Sequence, residues 1–600
     1  MNGRRSLIES IGVHLPEQRV TMADVVAGCA TPLRLPLERL SGVHSHRVAA
    51  ADEYAIDLSR RAIADCLAYS RHTAADVDLL VCASISRYDG AGQMHMAEPG
   101  IATRLKTLCG FDRALAFDLS NGCAGLWTGI YLADAMIAAG LVERALVVAG
   151  EFITHLIRTA QLGIASQLDP QVPSLTVGDA GAAVMLTAAP AGTGFEAIDI
   201  YTVSRCARYC MGIMNETAAG GGMMMTDSIR LAAESIEFVA GHVKQTLDRA
   251  AWQARDVPHF IAHQTSRTTL VDGLKWINRR LAPDAFGDDS LWINVGERGN
   301  TATTTHIVAL RDGIASGRLR SGDRTVFAIS GSGLSVGTAL YAFDDLPDRL
   351  NAGPRSPAGV LAPAPVSSER PALTPRRAAA VVAGITAVAV IRGDDAAGLD
   401  GVELGRRAGA ACLARAGRRP GDVDLAIQSG TYPGFIAEPA VAALIADQLD
   451  LNRSATAGAP QRTFAFDLTS GPLGVLKACW VVDQLVRAGR TTRALSLAAD
   501  LDGNLAVPGD RAHGVEAAAG ALLIEAGQTG AGFEGFHFRH FPQHADEFAA
   551  WGANPAGRPH LVVRRRDTFA GVAAGLLMGV WPVWTALVAA VLTVQIRRCK

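Results

Sequence analysis

The stretch FDLSNGCAGLWTGI, residues 117–130, is written a second time as FDLTSGPLGVLKAC at residues 466–479. The frame is kept, but Cys123 has become Pro472. Other phrases repeat around this pair in the same order. DVDLLVCAS (76–84) returns as DVDLAIQSG (422–430), and AEPGIATRLKTL (97–108) as AEPAVAALIADQL (437–449). RALVVAGE (144–151) returns as RALSLAAD (493–500), and GTGFE (192–196) as GAGFE (530–534). Every offset lies between 338 and 349 residues. Ordered echoes at a nearly constant offset mean a duplicated unit. The second copy starts near residue 379 and repeats about half of the first.

Six hundred residues exceed one hydrophobic core, so more than one domain is expected. A hydrophobic content of 49% with 19% charged residues fits a globular α/β chain, and a net charge of −2 gives no basic surplus for nucleic acid. Ten cysteines scattered over this length read as reduced thiols in a cytoplasmic protein. Cys206 and Cys210 form a CxxxC pair with no second pair to complete a metal site, so no metal is expected. The N-terminal residues lack an apolar secretory core.

Short apolar runs suited to buried strands (DLLVCAS, RALVVAGE, AAVMLTA) alternate with helical spacing in residues 54–70 and 124–140. That alternation argues for α/β layers. Four regions follow: a first unit over 1–343, a proline-rich linker over 344–378, a partial unit over 379–568, and an uncharged apolar stretch from 569 to about 596. Residues 569–594 carry no charge and are long enough to span a bilayer. Two readings stand for them: a buried helix kinked at Pro582, or a membrane contact.

Cys123 sits among small residues just before an apolar helix, where unpaired N–H groups and the helix dipole favour a thiolate. His263 follows an apolar run in PHFIAHQTS, and Asn300 lies in the turn GNTATTT. A nucleophile, an imidazole and an amide donor form a set able to transfer acyl groups.

These segments, with TVGDAGAAVMLT (176–187) and ISGSGLSVGTALY (329–341), resemble the ketoacyl-ACP synthase III enzymes of the thiolase superfamily over roughly residues 5–343. The resemblance implies a thiolase-like five-layered αβαβα fold built from a duplicated βαβαβαβ unit, a homodimer, and no cofactor. It implies that Cys123 takes an acyl group from acyl-CoA or an acyl carrier protein. His263 and Asn300 would hold the thioester oxygen of malonyl-ACP as CO2 leaves, and backbone N–H groups of Cys123 and of Gly331, Ser332 or Gly333 would hold the oxyanion of the condensation.

Three departures and alternatives accompany that reading. Ser266 stands where the family usually has asparagine, and is expected to cap the turn. Glu98 is a pocket candidate, since a few condensing relatives use a glutamate from this region; its echo Glu438, in a copy without cysteine, favours a plain helix-start role for both. Acyl transfer to an alcohol or amine, and a non-catalytic scaffold for carrier proteins, remain as other functions. Two further motifs are set aside: GLSVG (333–337) lacks the strand–turn–helix context of a hydrolase elbow, and His44 and His46 read as surface strand residues. No counterpart of His263 or Asn300 follows residue 479, so the second copy is expected to be structural.

Overall fold

The computed structural model describes residues 5–90, 92–215, 221–283, 285–355, 361, 381–432, 434, 436–457, 463–501, 517–528, 532–536, 538, 548–553 and 560–565. The first copy opens with strand β1 (Ser6–His14), then β2 (Gln18–Thr21), helices α1 (Met22–Ala27) and α2 (Leu37–Ser41), β3 (Ser45–Val48) and α3 (Ala55–Tyr69). Strand β4 (Leu79–Cys82) leads through β5 (Tyr88–Asp89) and β6 (Met94–Glu98) to α4 (Ile101–Cys109) and β7 (Leu115–Ser120). Helix α5 (Gly125–Ala138), β8 (Arg144–Glu151), α6 (His155–Gly163) and β9 (Ala180–Ala188) complete its first half.

The other half begins with β10 (Gly194–Thr202), the hairpin of β11 (Cys210–Met214) and β12 (Gly222–Thr226), and α7 (Ser228–Ala250). It continues with β13 (His259–Ala262), α8 (Arg267–Leu281), α9 (Val295–Arg298), α10 (Thr305–Ala315), β14 (Arg324–Gly331), β15 (Ser335–Ala342) and α11 (Leu346–Asn351). The second copy supplies β16 (Val381–Arg392), α12 (Gly401–Ala416), β17 (Leu425–Gln428), β18 (Ile436–Glu438), α13 (Val441–Gln448) and β19 (Phe464–Thr469). After these come α14 (Gly474–Arg487), β20 (Arg493–Asp500), β21 (Ala518–Gln528), β22 (Phe548–Ala553) and β23 (His560–Arg565).

Five layers stack in the first copy. Helices α3 and α4 cover one face of a sheet, α5 and α10 lie between that sheet and a second one (β10-β15-β14-β13), and α7 packs on the far side. Position explains composition. The four residues of β4 are buried on both faces, hence the run LLVC. Helix α5 is enclosed by two sheets and is apolar nearly all round, with Trp127 fully buried between Phe195 and Phe327.

The repeated phrase has a direct structural meaning, because its two copies pair with each other. Strand β7 runs antiparallel to β19, with Ser120 opposite Asp467, Leu119 opposite Leu468, and Asp118 opposite Thr469. The result is a single ten-stranded sheet, β1-β9-β8-β4-β7-β19-β17-β20-β21-β16, whose halves repeat in mirror order. Its centre is packed like a core: Leu119, Leu468 and Phe466 are fully buried, and Phe117 meets Trp480 edge to face at 6.5 Å. Each such side chain stabilises by about 1.5–3 kcal/mol on burial.

Two reciprocal clasps complete the junction. Hairpin strand β11 of the first copy pairs with β18 of the second, Gly212 opposite Glu438. Hairpin strand β22 of the second pairs with β6 of the first, Ala550 opposite Glu98. The two copies are therefore related by an approximate two-fold axis through β7 and β19. A second chain cannot pair at the β7 edge while β19 of the same chain occupies it.

Some expectations need correction. Residues 346–351, read as linker, form α11, and Leu346 and Leu350 are buried in the core of the first copy; the Asp344 carboxylate accepts from the Leu346 N–H at 3.0 Å at its start. His46, read as a surface residue, is only 1% exposed. GLSVG runs directly into strand β15, so it is no hydrolase elbow. Among the described residues no helix is long and apolar enough to cross a membrane, and the apolar stretch 569–596 lies outside them.

Candidate active site

Strand β7 ends at Ser120, and the turn Asn121–Ala124 carries Cys123 to the start of α5. Gly122 adopts φ +50°, and a Cβ there would stand 2.0 Å from Ser332 Oγ, so the turn accepts only glycine. Asn121 fastens this turn from inside: its Nδ2 donates to Thr128 Oγ1 at 2.9 Å, and its Oδ1 accepts from Ser335 Oγ at 2.7 Å. Gly331, at the end of β14, closes the other side; a Cβ on it would lie 3.2 Å from Cys123 N.

Cys123, His263 and Asn300 line one cavity of about 430 Å3, together with Ser266, Gly331, Ser332 and Glu438. Thus three residues separated by up to 177 positions converge on one chamber. Ser266 takes the capping place expected of it, accepting from Thr269 N–H at 3.1 Å at the N-terminus of α8. Gly333 does not line the cavity. It turns toward the second copy, where a Cβ would meet Ala443 at 3.7 Å, so Gly331 and Ser332 are the residues of that triplet left to face a substrate.

Burial sets the proton states. The Cys123 thiol is pushed well above its ordinary range by desolvation, with Glu438, Cys210 and Glu151 adding to the effect. The helix start that was expected to favour a thiolate is outweighed, and Cys123 rests as a thiol. His263 is pulled down to about 3 by burial and by His306, so it is a neutral imidazole at physiological pH. Its Nδ1 is buried without a partner among the described residues. The two imidazoles stack at 6.1 Å and 20°, and His306 Nε2 donates to the Ala328 carbonyl at 3.0 Å. His306 is the floor under His263. Asn300 Oδ1 accepts from Ala302 N–H at 3.0 Å, which leaves its NH2 as the donor end.

The carboxylate in this chamber is the main surprise. It is Glu438, from the copy that lacks the cysteine. Glu98, the first copy's candidate, is absent from the cavity. Glu438 is 6% exposed, its pKa is raised by burial, and its Oε1 accepts from Cys210 Sγ at 3.6 Å. Gly212 makes room for it: a Cβ at that position would approach Glu438 Cβ to 3.2 Å. Glu98 instead lies against the silent site, where a Cβ on Gly471 would meet its Oε1 at 2.4 Å. The pocket candidate was Glu98, and it is its echo Glu438 that lines the chamber. The signal that could have found it was the AEP phrase itself, kept in both copies.

The silent site has been rebuilt. At the places of Asn121 and Thr128 stand Ser470 and Lys477, and the Lys477 ammonium donates to Ser470 Oγ at 2.5 Å and to the Ala116 carbonyl at 2.7 Å. Among the described residues no cluster of three His, Cys, Asp or Glu side chains is placed to hold a metal.

Residues 117–204 match the family model of 3-oxoacyl-[acyl-carrier-protein] synthase III, and residues 247–343 match the model of that enzyme's C-terminal part. The first copy is a ketoacyl synthase III domain. A β-ketoacyl-[acyl-carrier-protein] synthase III of Deinococcus deserti is 27% identical over 337 residues, 55% of this chain and 88% of that protein. A synthase III of Streptomyces coelicolor is 29% identical over 255 residues, covering 41% and 68% of the two chains. Among solved structures, FabH of Pseudomonas aeruginosa aligns at 25% identity and a TM-score of 0.49, over 57% of this chain and 99% of its own. OleA of Xanthomonas campestris aligns at 21% and 0.49, over 57% and 98%. Ketoacyl synthase III enzymes are acyltransferases, and this domain is an acyltransferase of the condensing, thiolase-like type.

Proposed function

We propose that the ketoacyl synthase III domain forms a carbon–carbon bond between two acyl units, with Cys123 carrying the first. An acyl-CoA or acyl carrier protein thioester exchanges with Cys123; the thiol proton leaves on the released CoA or carrier thiol, and an acyl-Cys123 thioester remains. Malonyl-ACP then enters. The neutral His263 imidazole and the Asn300 NH2 donate to its thioester oxygen as CO2 departs, so the enolate charge develops against preorganised donors. The enolate carbon attacks acyl-Cys123, the tetrahedral oxygen facing the backbone N–H of Cys123 and of Gly331 or Ser332. Collapse frees the Cys123 thiolate and leaves a β-ketoacyl-ACP. The convergence of Cys123, His263 and Asn300 on one cavity carries this reading.

Glu438 favours a second reading of the same step. A buried carboxyl with a raised pKa is suited to take a proton. Beside Cys123 it can remove an α-proton from a second, unactivated acyl thioester, generating the enolate without loss of CO2. In both readings the second copy is part of the chamber.

Purified protein with acyl-CoA and carboxyl-labelled malonyl-ACP separates these cases. Labelled CO2 that disappears in Cys123→Ala supports decarboxylative condensation. Condensed product from acyl-CoA alone supports proton abstraction. An acyl adduct on Cys123 that passes only to alcohols or amines refutes both in favour of simple transfer, and no adduct at all supports a scaffold.

A further inference from the structure

We propose that the acyl chain carried by Cys123 is an unbranched chain of about nine or ten carbons, lodged between helices α7 and α8; this rests on the acylation of Cys123 proposed above. The cavity that holds Cys123 has one arm walled by these helices. Leu231, Ser235 and Val239 line it from α7, and Leu270, Gly273 and Ile277 from α8. Each set recurs at three- or four-residue intervals, which puts it along a single helix face. Leu231 and Ile236 are only half-buried, so the arm presents apolar surface without a covering side chain.

The occupant follows from chemistry. A pantetheine arm carries two amides, and burying an amide without partners is unfavourable. Between Leu231 and Val239 on α7, and between Leu270 and Ile277 on α8, Ser235 is the one polar side chain in the lining. An alkyl chain satisfies that wall and pantetheine does not. Eight residues of helix from Leu231 to Val239 advance about 12 Å. An extended hydrocarbon chain covers that length with about nine or ten carbons at about 1.3 Å each, given C–C bonds of about 1.5 Å. Volume agrees. A cavity of about 150 Å3 holds a benzene-sized molecule, and this one measures about 430 Å3 with the reaction chamber included. Gly273 sets the width of the arm: a Cβ there would meet only Ile236 Cγ1, at 3.9 Å, so a longer side chain would project into open space.

The test is the rate of mass gain on the full-length protein with acyl-CoA donors from two to sixteen carbons at equal, sub-saturating concentration. Decanoyl-CoA is expected to label Cys123 at least tenfold faster than acetyl-CoA. Gly273→Leu is expected to move the optimum to eight carbons or fewer, and Ile236→Ala to move it upward by two or more. Acetyl-CoA labelling as fast as decanoyl-CoA overturns the proposal while leaving acylation of Cys123 standing, as does a wild-type length profile in both variants. Absence of label from every donor refutes acylation itself, and this inference with it.

Discussion

Lys477 is the residue whose removal tests the junction of the two copies most sharply. Its side chain is 7% exposed, and its ammonium is bound to Ala116 O and Ser470 Oγ, with Glu98 and Asp118 as the carboxylates facing it. Burial lowers its pKa to about 8, against the pull of those two carboxylates. Burial raises Glu98 to about 7, Asp118 adds to this, and Lys477 works against it. Glu98 Oε1 is buried with no hydrogen-bond partner among the described residues, and Lys477, with Arg87 after it, is the cation that most favours its ionised form.

Replacing Lys477 by Met keeps the volume and strands the carboxyl. The ammonium is bonded to Ala116 O and Ser470 Oγ and not to the carboxyl, so the pH-dependent loss is about 1.4 kcal/mol for each pH unit by which Glu98 ionises later. At about 2 °C per kcal/mol for a large domain, the melting temperature falls by about 3 °C for each such pH unit. The deficit depends on pH, with a definite sign. A carboxyl whose folded pKa is raised costs stability above its unfolded value, here from pH 4.5 upward, and the cost is complete above the folded value. Wild-type Glu98 is itself protonated below its folded value, so the pH-dependent part of the loss in Lys477→Met is nil at pH 5 and present at pH 8, where the wild-type carboxyl ionises and the variant's does not. Calorimetry at those two pH values measures it. Glu98→Gln/Lys477→Met, which removes both charges, is expected to recover most of the loss. An equal deficit at pH 5 and pH 8, or a double variant no more stable than the single one, refutes the coupling.

Three further outcomes follow from the geometry. Glu438→Gln is expected to leave acylation of Cys123 within a few-fold of wild type, while any condensation lacking CO2 release drops by 10²-fold or more; equal turnover removes Glu438 as a proton acceptor. Because His263 titrates at about 3, its imidazole stays neutral through the physiological range, so kcat/KM should show no limb assigned to it between pH 5 and pH 8. A limb near pH 6.5 that vanishes in His263→Asn contradicts this. Deleting residues 379–600 uncovers the β7 edge with Leu119 and Phe117 behind it, and sizing by light scattering should find self-association or precipitation instead of a well-behaved monomer.

Much of this architecture is legible in the chain because burial on both faces leaves a strong imprint. The runs at 78–84 and 144–151, and the helical spacing at 54–70 and 124–140, mark β4, β8, α3 and α5 within a residue or two. Cys123, His263 and Asn300 also stand out, each at the end of an apolar run or in a tight turn where side chains project beyond the sheets. Linker composition misled at 346–351. Prolines further along dominated the reading, whereas Asp344, Pro347 and the Leu346/Leu350 spacing are helix-start signals with a buried face. The acyl arm between α7 and α8 could not be read at all. A helix face that lines a cavity and one that packs on a neighbour share the same periodicity.

The assignment of Glu98 and Glu438 failed for a deeper reason, which lies in the symmetry of the pairing. Offsets show that two segments are alike, but not which copy's chamber each one serves. That is decided by the antiparallel register of β7 on β19. Antiparallel pairing of like strands generates a two-fold axis, and a two-fold axis sends the strand following each β4-like element across to the other copy's hairpin. Glu438 therefore reaches Cys123, and Glu98 reaches the place where Pro472 has replaced a cysteine. The second copy repeats neither the cysteine nor the His263 and Asn300 segments, so Glu98 has no such chemistry to serve there. Lys477, standing where the first copy has Thr128, and Arg87 are the cations that oppose the effect of burial on it. Glu438 carries no such cation: among the causes acting on its pKa, burial raises it and only hydrogen bonds oppose. Burial raises both carboxyls, but of the two only Glu438 lines the chamber that holds Cys123, which is the asymmetry expected if a single chamber of the pair does chemistry.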